Sequence, residues 1–357
     1  MNNNSFLKTY KNLKVLITGS TGFKGAWLSF WLNKAGAKVT GVGLNPEKDF
    51  ILFEELKLKK KISQHIIDIE NFKKLNHLVK KIKPDIIFHL AAQSIVSESY
   101  INPLKTIKTN TLGSVNILEI VRKNKIKNLV YITSDKCYLN KNLTRGYKEK
   151  DTLGGYDNYS SSKASAEILF HSYFESFFKE EKNVFAATAR AGNVIGGGDF
   201  KKNRIIPDLF KSLYNKQKLI LRSPHSTRPW QHVLEPLSGY LNLGHLLLNK
   251  KINPKIYPSW NFGPKKENCK QVVKIIDMFY KYIDIKKNYK ITKKNNLKEA
   301  KLLSLDIKKA EKELFWKPRL SLEECVEYTS DWYLSYLYKK RSLEDLTNYQ
   351  IEKYLSR

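Results

Sequence analysis

Apolar and polar positions over the first 190 residues alternate between two rhythms. Short β-branched runs, Lys14-Val15-Leu16-Ile17-Thr18 first among them, give way to segments with helical spacing, and the alternation then repeats. After 14–18 the pattern predicts a helix over 22–35 and strands over 37–42 and 62–67. A helix over 71–82, a strand over 85–90 and a long helix over 103–124 follow, with Pro103 suited to a first helical turn. The apolar run 128–132, a helix over 156–179 and a strand over 183–189 complete the series. Strands separated by helices imply parallel pairing through right-handed crossovers, so the expected class is α/β with a doubly wound parallel sheet.

After Arg190 the pattern changes. Gly192, Gly196, Gly197 and Gly198, then Pro207, Pro224, Pro229 and Pro236, punctuate short elements and suggest a second, smaller α/β region. The expected division is 1–190 and 191–357, with the second part returning to the sheet around 230–263. No low-complexity linker or internal repeat separates them. The tail over 320–357 reads as helical and rich in aromatic residues, and its packing is left open by the pattern.

Composition narrows the function classes. No apolar run approaches the roughly 20 residues that span a bilayer, and MNNNSFLKTYKN has no apolar stretch with a cleavage site. A cytoplasmic protein with no membrane partner is expected. Cys137, Cys269 and Cys325 lack the spacing of a disulfide framework or a metal site, so neither is expected. The formal charge of +30 raises nucleic-acid binding, but the charge is mostly lysine spread among Asn and Ile, with few arginines. Nucleic acid is therefore not an expected partner, whereas an anionic small substrate is.

Gly19-Ser20-Thr21-Gly22-Phe23-Lys24-Gly25 joins the first strand to the first helix. Glycines there permit a tight turn and let N–H groups at a helix start approach a pyrophosphate, the arrangement of a Rossmann dinucleotide site. The acidic residue that binds an adenosine ribose is missing after the second strand, where Asn45 stands with Lys48 nearby. NAD is still preferred to its 2′-phosphorylated form. Asp68 has two readings, a partner for the adenine amino group or a helix N-cap.

Tyr159 and Lys163 lie four residues apart, on one face of a helix. A nearby cation favours phenolate, and moving a tyrosine pKa from about 10 toward 7 takes roughly 4 kcal/mol, which a lysine and an oxidised nicotinamide nearby would supply together. Such a group can take a proton from an alcohol while hydride leaves the carbon. The spacing alone selects nothing, because Tyr10/Lys14, Tyr282/Lys286, Tyr289/Lys293, Tyr336/Lys340 and Tyr349/Lys353 share it. Position selects Tyr159, one helix after the strand that ends in Thr133-Ser134-Asp135-Lys136-Cys137-Tyr138.

With the Gly loop, His89-Leu90-Ala91-Ala92-Gln93, Ser134 and the Tyr159 pair in this order, the chain resembles the extended short-chain dehydrogenase/reductases that act on nucleotide sugars. The resemblance spans nearly all of it. TGFKGAWLSFWL, TSDKCY, GGYDNYSSSK, RAGNVIGGGD and TRPWQHVLEPLSGYL are similar to the CDP-glucose 4,6-dehydratases of that family. The resemblance implies a lyase of deoxysugar biosynthesis, of the kind that serves lipopolysaccharide O-antigen. Its reaction is oxidation of CDP-glucose at C4 by NAD+, loss of water across C5 and C6, and return of the hydride to C6, giving CDP-4-keto-6-deoxyglucose. Gly19, Gly22, Phe23 and Gly25 would cradle the pyrophosphate, and Leu90, Ala91 and Ala92 would line the nicotinamide side. Lys163 would hold the nicotinamide ribose and tune Tyr159, while Asn193, Arg204 and Arg228 would contact the nucleotide diphosphate of the nucleotide-sugar substrate. A turn role for Asn193 and surface ion pairs for the arginines are the plain alternatives. A homodimer is also implied.

Related dTDP-glucose dehydratases carry Asp then Glu where Asp135 and Lys136 stand here. The resemblance makes Asp135 the acid at C6. Lys136 is either the base at C5, which needs a neutral amine, or an ammonium that stabilises the enolate. A nucleotide-sugar 4-epimerase shares Ser134, Tyr159 and Lys163 but has no elimination to run. A catalytically silent NAD- or RNA-binding protein on this fold is the more distant alternative.

Overall fold

The computed structural model describes residues 5–46, 51–254, 256–292 and 302–357; Lys48, one of the residues considered near the ribose, lies outside them. Seven strands form one parallel sheet: β1 Lys14–Thr18, β2 Lys38–Gly43, β3 Ser63–Ile66, β4 Ile86–His89, β5 Asn128–Ile132, β6 Phe185–Ala191 and β7 Ser259–Phe262. Their spatial order is β3-β2-β1-β4-β5-β6-β7. The order reverses between β1 and β4, where Thr18 pairs with His89, and a crevice for ligands forms beyond the carboxyl ends at such a point.

Both faces of the sheet are covered. After a four-residue helical turn, Ser5–Lys8, the first helix to cover the sheet, Phe23–Lys34, lies on one side and is buried nearly all round, with Phe23, Ala26, Trp27, Leu28, Phe30, Trp31 and Leu32 inside. Its sequence accordingly shows no amphipathic stripe. On the other side Phe72–Ile82 buries only Leu75, Leu78 and Val79, the i, i+3, i+4 stripe of a half-covered helix. Its N-cap is Asn71, whose Oδ1 accepts from the Lys74 N–H at 3.1 Å. Asp68 is thus not the cap; it accepts from the Glu70 N–H at 2.9 Å and lies 3.4 Å from the Lys105 ammonium.

The long helix expected over 103–124 is present with an interruption. It runs Pro103–Ile107, widens into a π-helical turn over Lys108–Gly113, and resumes over Ser114–Asn124. A short helix, Val96–Ile101, that the pattern did not predict precedes it.

Beyond β6 the chain leaves the sheet for about 65 residues and returns as β7, laid parallel to β6 from Ser259↔Thr188 to Phe262↔Ala191. The excursion holds the helix Ile205–Tyr214, the strand Thr227–Pro229 and the buried helix Leu234–Leu248. The tail packs on the body. Leu322–Tyr338 opens with a capping box between Ser321 and Glu324, and Leu343–Leu355 follows it. Trp332 lies so close to Gly197 that a Cβ there would meet its ring at 1.9 Å, and Tyr333 stacks on Phe210 at 4.2 Å.

Candidate active site

A cavity of about 370 Å³ lies over the carboxyl ends of β4, β5 and β6 and is closed from above by residues 191–230. Phe23, Leu90, Ala92, Ser134, Asp135, Lys136, Tyr159, Lys163, Asn193, Arg204 and Arg228, all named from the sequence, line it together. Gly19, Gly22, Gly25, Ala91 and Asp68 do not.

The glycines shape the floor instead. Gly19 has φ +77°, and a Cβ on it would stand 2.7 Å from the Ala91 nitrogen. On Gly25 a Cβ would stand 1.9 Å from the Gly19 carbonyl oxygen, so the helix start can fold back on the loop only without a side chain there. Gly22, the N-cap, has no closer neighbour than that same oxygen at 3.4 Å, which leaves its outer side open. Ala91 belongs to this packing rather than to the cavity wall: its N–H donates to Thr18 Oγ1 at 3.3 Å.

The helix that carries Tyr159 and Lys163, the candidate catalytic helix Asn158–Tyr173, starts from Asp157, whose carboxylate accepts from the Ser160 N–H at 2.8 Å and the Ser160 hydroxyl at 2.7 Å. Tyr159, Lys163 and Glu167 recur every four residues and share one buried face. Tyr159 meets the Ser134 hydroxyl, and Lys163 Nζ lies 6.0 Å from the Tyr159 ring centroid. The protein's own groups together do not lower the Tyr159 pKa. Burial pushes the phenol up to about 12; the Ser134 hydrogen bond and Arg204 lower it, while Asp135 and Asp157 raise it further. Burial, reinforced by Lys24, pulls the Lys163 amine down to about 7. The protein surroundings alone therefore favour neutral phenol, and Lys163 is not among the charges that act most strongly on it.

Asp135 is 2 % exposed at the end of β5. Its Oδ1 accepts from the Ser134 hydroxyl at 3.0 Å, and its buried Oδ2 has no hydrogen-bond partner among the described residues. Burial raises its pKa above the ordinary carboxylate value against Lys136, the Ser134 hydrogen bond, Arg228 and Lys24. Lys136 is half-buried on the same wall, and its backbone N–H donates to Ser134 Oγ at 3.3 Å.

Arg228 is 7 % exposed, so the surface-pair alternative does not describe it. Arg204 pairs with Asp199 and donates to Ser94 Oγ at 2.9 Å, holding its guanidinium at the cavity. Asn193 bridges backbones as well as lining the site, its carbonyl accepting from the Gln231 N–H at 3.3 Å.

Sequence reasoning missed three contributors. Asn110, inside the π-helical turn, accepts from the Gln93 N–H at 2.8 Å and donates to the Gln93 carbonyl and to Ser162 Oγ, both at 3.0 Å. It ties the loop after β4 to the catalytic helix. His89 sits between Thr18 Oγ1 at 2.7 Å and Ser114 Oγ at 3.0 Å, its pKa pulled down to about 3 by burial and Lys163. Lys24 lines the cavity from the second position of the first helix; a lysine at a helix start, where acidic residues are favoured, was the available signal.

A model of the GDP-mannose 4,6 dehydratase family matches residues 16–329. The CDP-glucose 4,6-dehydratase of Salmonella typhimurium is 42% identical over 333 residues, covering 92% of each chain. Among solved structures, an epimerase from Methanothermobacter thermautotrophicus superposes with TM-score 0.80 at 24% identity, over 95% of this chain and 98% of that one. A dTDP-glucose 4,6-dehydratase from Bacillus anthracis, solved with NAD, gives 0.76 at 20% identity over 94% and 99%. At those identities the two structures speak for the fold.

Proposed function

The chain belongs to the GDP-mannose 4,6 dehydratase family, and from that premise we propose that it is a hydro-lyase converting CDP-glucose to CDP-4-keto-6-deoxyglucose with NAD as its resident cofactor. The 42% relative supports the substrate. One observation carries the reaction type: a buried carboxyl, Asp135, whose pKa burial raises above the ordinary carboxylate value, stands beside the hydroxyl pair Ser134 and Tyr159 at a strand end. An epimerase has no use for that acid.

The loop fits a dinucleotide. A Cβ at Gly19 or Gly25 would fill the turn, Gly22 is open on its outer side, and the first helix begins at Phe23, so backbone N–H groups gather where a pyrophosphate is held. Gly19, Gly22, Phe23 and Gly25 would hold NAD there, with Leu90, Ala91, Ala92 and Lys163 at the nicotinamide end and Asp68 toward the adenine. When bound, NAD supplies the hydride acceptor for C4 and the donor for C6. Tyr159, held by Ser134, takes the C4 hydroxyl proton. Its neutral-favouring surroundings mean that the phenol needs added positive charge nearby before it works as a base at pH 7.

Once C4 is a carbonyl, the C5 proton is acid enough to remove. Lys136 faces the cavity beside Asp135 and is our candidate to take it. Asp135 protonates the C6 oxygen as its bond to carbon breaks, and water leaves. Arg204 and Arg228, with Asn193, receive the diphosphate; guanidinium forks suit its paired oxygens.

Two adjacent helices leave Leu104, Leu112, Ile168 and Phe177 exposed on the outside of the molecule. We assign this face to a second copy of the chain, and analytical ultracentrifugation of Leu112→Lys should give monomer where wild type gives dimer. The unpaired thiols of Cys137, Cys269 and Cys325 suit a reducing cytoplasm.

The test is to incubate the protein with NAD+ and a panel of nucleotide hexoses deuterated at C4. Loss of one water from CDP-glucose with the label recovered at C6 is the expected result. Inversion at C4 without loss of mass would establish an epimerase instead.

A further inference from the structure

Lys24 follows Phe23 in the first turn of the first helix. A cation is disfavoured there, because the N–H groups of the turn and the helix dipole are themselves positive. Among the described residues its ammonium makes no hydrogen bond or ion pair, and it lies 5.8 Å from the centroid of the Tyr240 ring. It shares the cavity wall with Ser134, Asp135, Tyr159 and Lys163. Burial and Arg204 pull its amine down to about 8, and Asp135 opposes them. Lys24 and Asp135 therefore line one cavity, and among the described residues neither the ammonium nor the buried Oδ2 has a hydrogen-bond partner.

We propose that Lys24 is a positioning residue for the elimination: from the first helix its positive charge sets how readily Asp135 releases a proton to the departing C6 oxygen. The proposal rests on the dehydratase reading above. Burial makes the Asp135 carboxyl hold its proton more firmly than an exposed carboxyl would, which by itself weakens it as an acid. As the C6–O bond breaks, its electron pair stays on oxygen, the Asp135 proton moves to that oxygen, and a carboxylate is left in a buried place. Lys24 stabilises the carboxylate that forms. It acts together with Lys136 on the adjoining turn and Arg228 on the strand Thr227–Pro229. The other groups facing this pair are Arg204 and Lys163, which Lys24 also repels, and the phenols of Tyr159 and Tyr240.

The test uses the full-length protein with NAD+ and CDP-glucose, comparing wild type, Lys24→Met and Lys24→Arg. C4 oxidation is followed by nicotinamide absorbance and water loss by mass spectrometry, in single turnovers across pH. Lys24→Met should still oxidise C4, lose water about fivefold more slowly at neutral pH, and move the alkaline limb of the water-loss profile up by about one pH unit, because removing a nearby cation raises a carboxyl pKa. Lys24→Arg should restore rate and limb together. An unmoved limb in Lys24→Met, or oxidation reduced as much as water loss, overturns the proposal. Wild-type protein that releases no water defeats the dehydratase reading instead, so the two failures are separable.

Discussion

Thr133 and Ser134 are neighbours in the chain, and their hydroxyls enter two buried charge clusters built on opposite rules. Thr133 donates to Glu167, which lies on the catalytic helix and is fully buried with Arg190 of β6. All five guanidinium N–H donors are placed: two on Glu167 at 2.9 and 2.7 Å, two on Tyr138 Oη and the Glu149 carbonyl at 2.8 Å, and one on Ser259 Oγ at 3.2 Å. Thr188 adds a hydrogen bond to the other Glu167 oxygen at 3.1 Å. Ser134 instead donates to Asp135, whose second oxygen is buried without a partner among the described residues, with Lys24 and Lys136 near but unbonded to it. The saturated cluster fixes β5, β6, β7 and the catalytic helix to one another. The unsaturated one keeps donors and acceptors in reserve for a substrate, at a cost in folding free energy.

The contrast can be broken most sharply at Asp135. Asp135→Asn removes a desolvated carboxylate, so thermal unfolding should stay level or rise, while water loss falls by about 10² to 10⁴ and C4 oxidation persists. Glu167→Ala should do the reverse. It strands the Arg190 charge in the core and should lower stability in urea unfolding by about 3–5 kcal/mol. A smaller cut, Thr133→Val, removes one of the hydrogen bonds to Glu167 and should cost about 1–2 kcal/mol, read the same way, with the ratio of water loss to oxidation unchanged.

The smallest effect separates the clusters by sign. Asp135 has a raised folded pKa, so its protonated form stabilises the fold below the unfolded pKa, and that contribution is lost as pH rises through the folded value. Glu167 has the opposite sense. Burial raises its pKa, but Arg190 and the Thr133 hydrogen bond outweigh burial, so its contribution is present above the unfolded pKa and lost as pH falls through the folded one. On acidification the two contributions therefore change in opposite senses. Asp135→Asn removes the acid-side gain, so urea unfolding of that variant should weaken more steeply on acidification than that of wild type.

The alternating pattern made most of the sheet legible, because β1, β4 and β5 are buried runs with a turn or helix on either side. Motif order brought eleven of the candidate residues to one cavity, while Gly19, Gly22, Gly25, Ala91 and Asp68 lie outside its lining. Three things escaped for physical reasons. The π-helical turn around Asn110 depends on contacts with Gln93 and Ser162 that are distant in sequence. The partners of Glu167 and Arg190 are scattered along the chain from Thr133 to Ser259. The directions in which the Tyr159, Lys163 and Asp135 pKa values move follow from how deeply each is desolvated, which spacing does not encode; within the protein, burial acts on Tyr159 more strongly than Lys163 does.

The late return of β7 has a consequence for how the chain is made. A ribosome that has delivered residues up to about 200 has released six strands, and the outermost, β6, then presents an unpaired edge with Arg190 short of its Ser259 contact. Such an edge invites pairing with another chain. The exposure lasts until residue 262 emerges, several seconds later at about 5–20 residues per second. Chaperone occupancy of stalled nascent chains should therefore peak between these two lengths and fall once Ser259–Phe262 has cleared the exit tunnel.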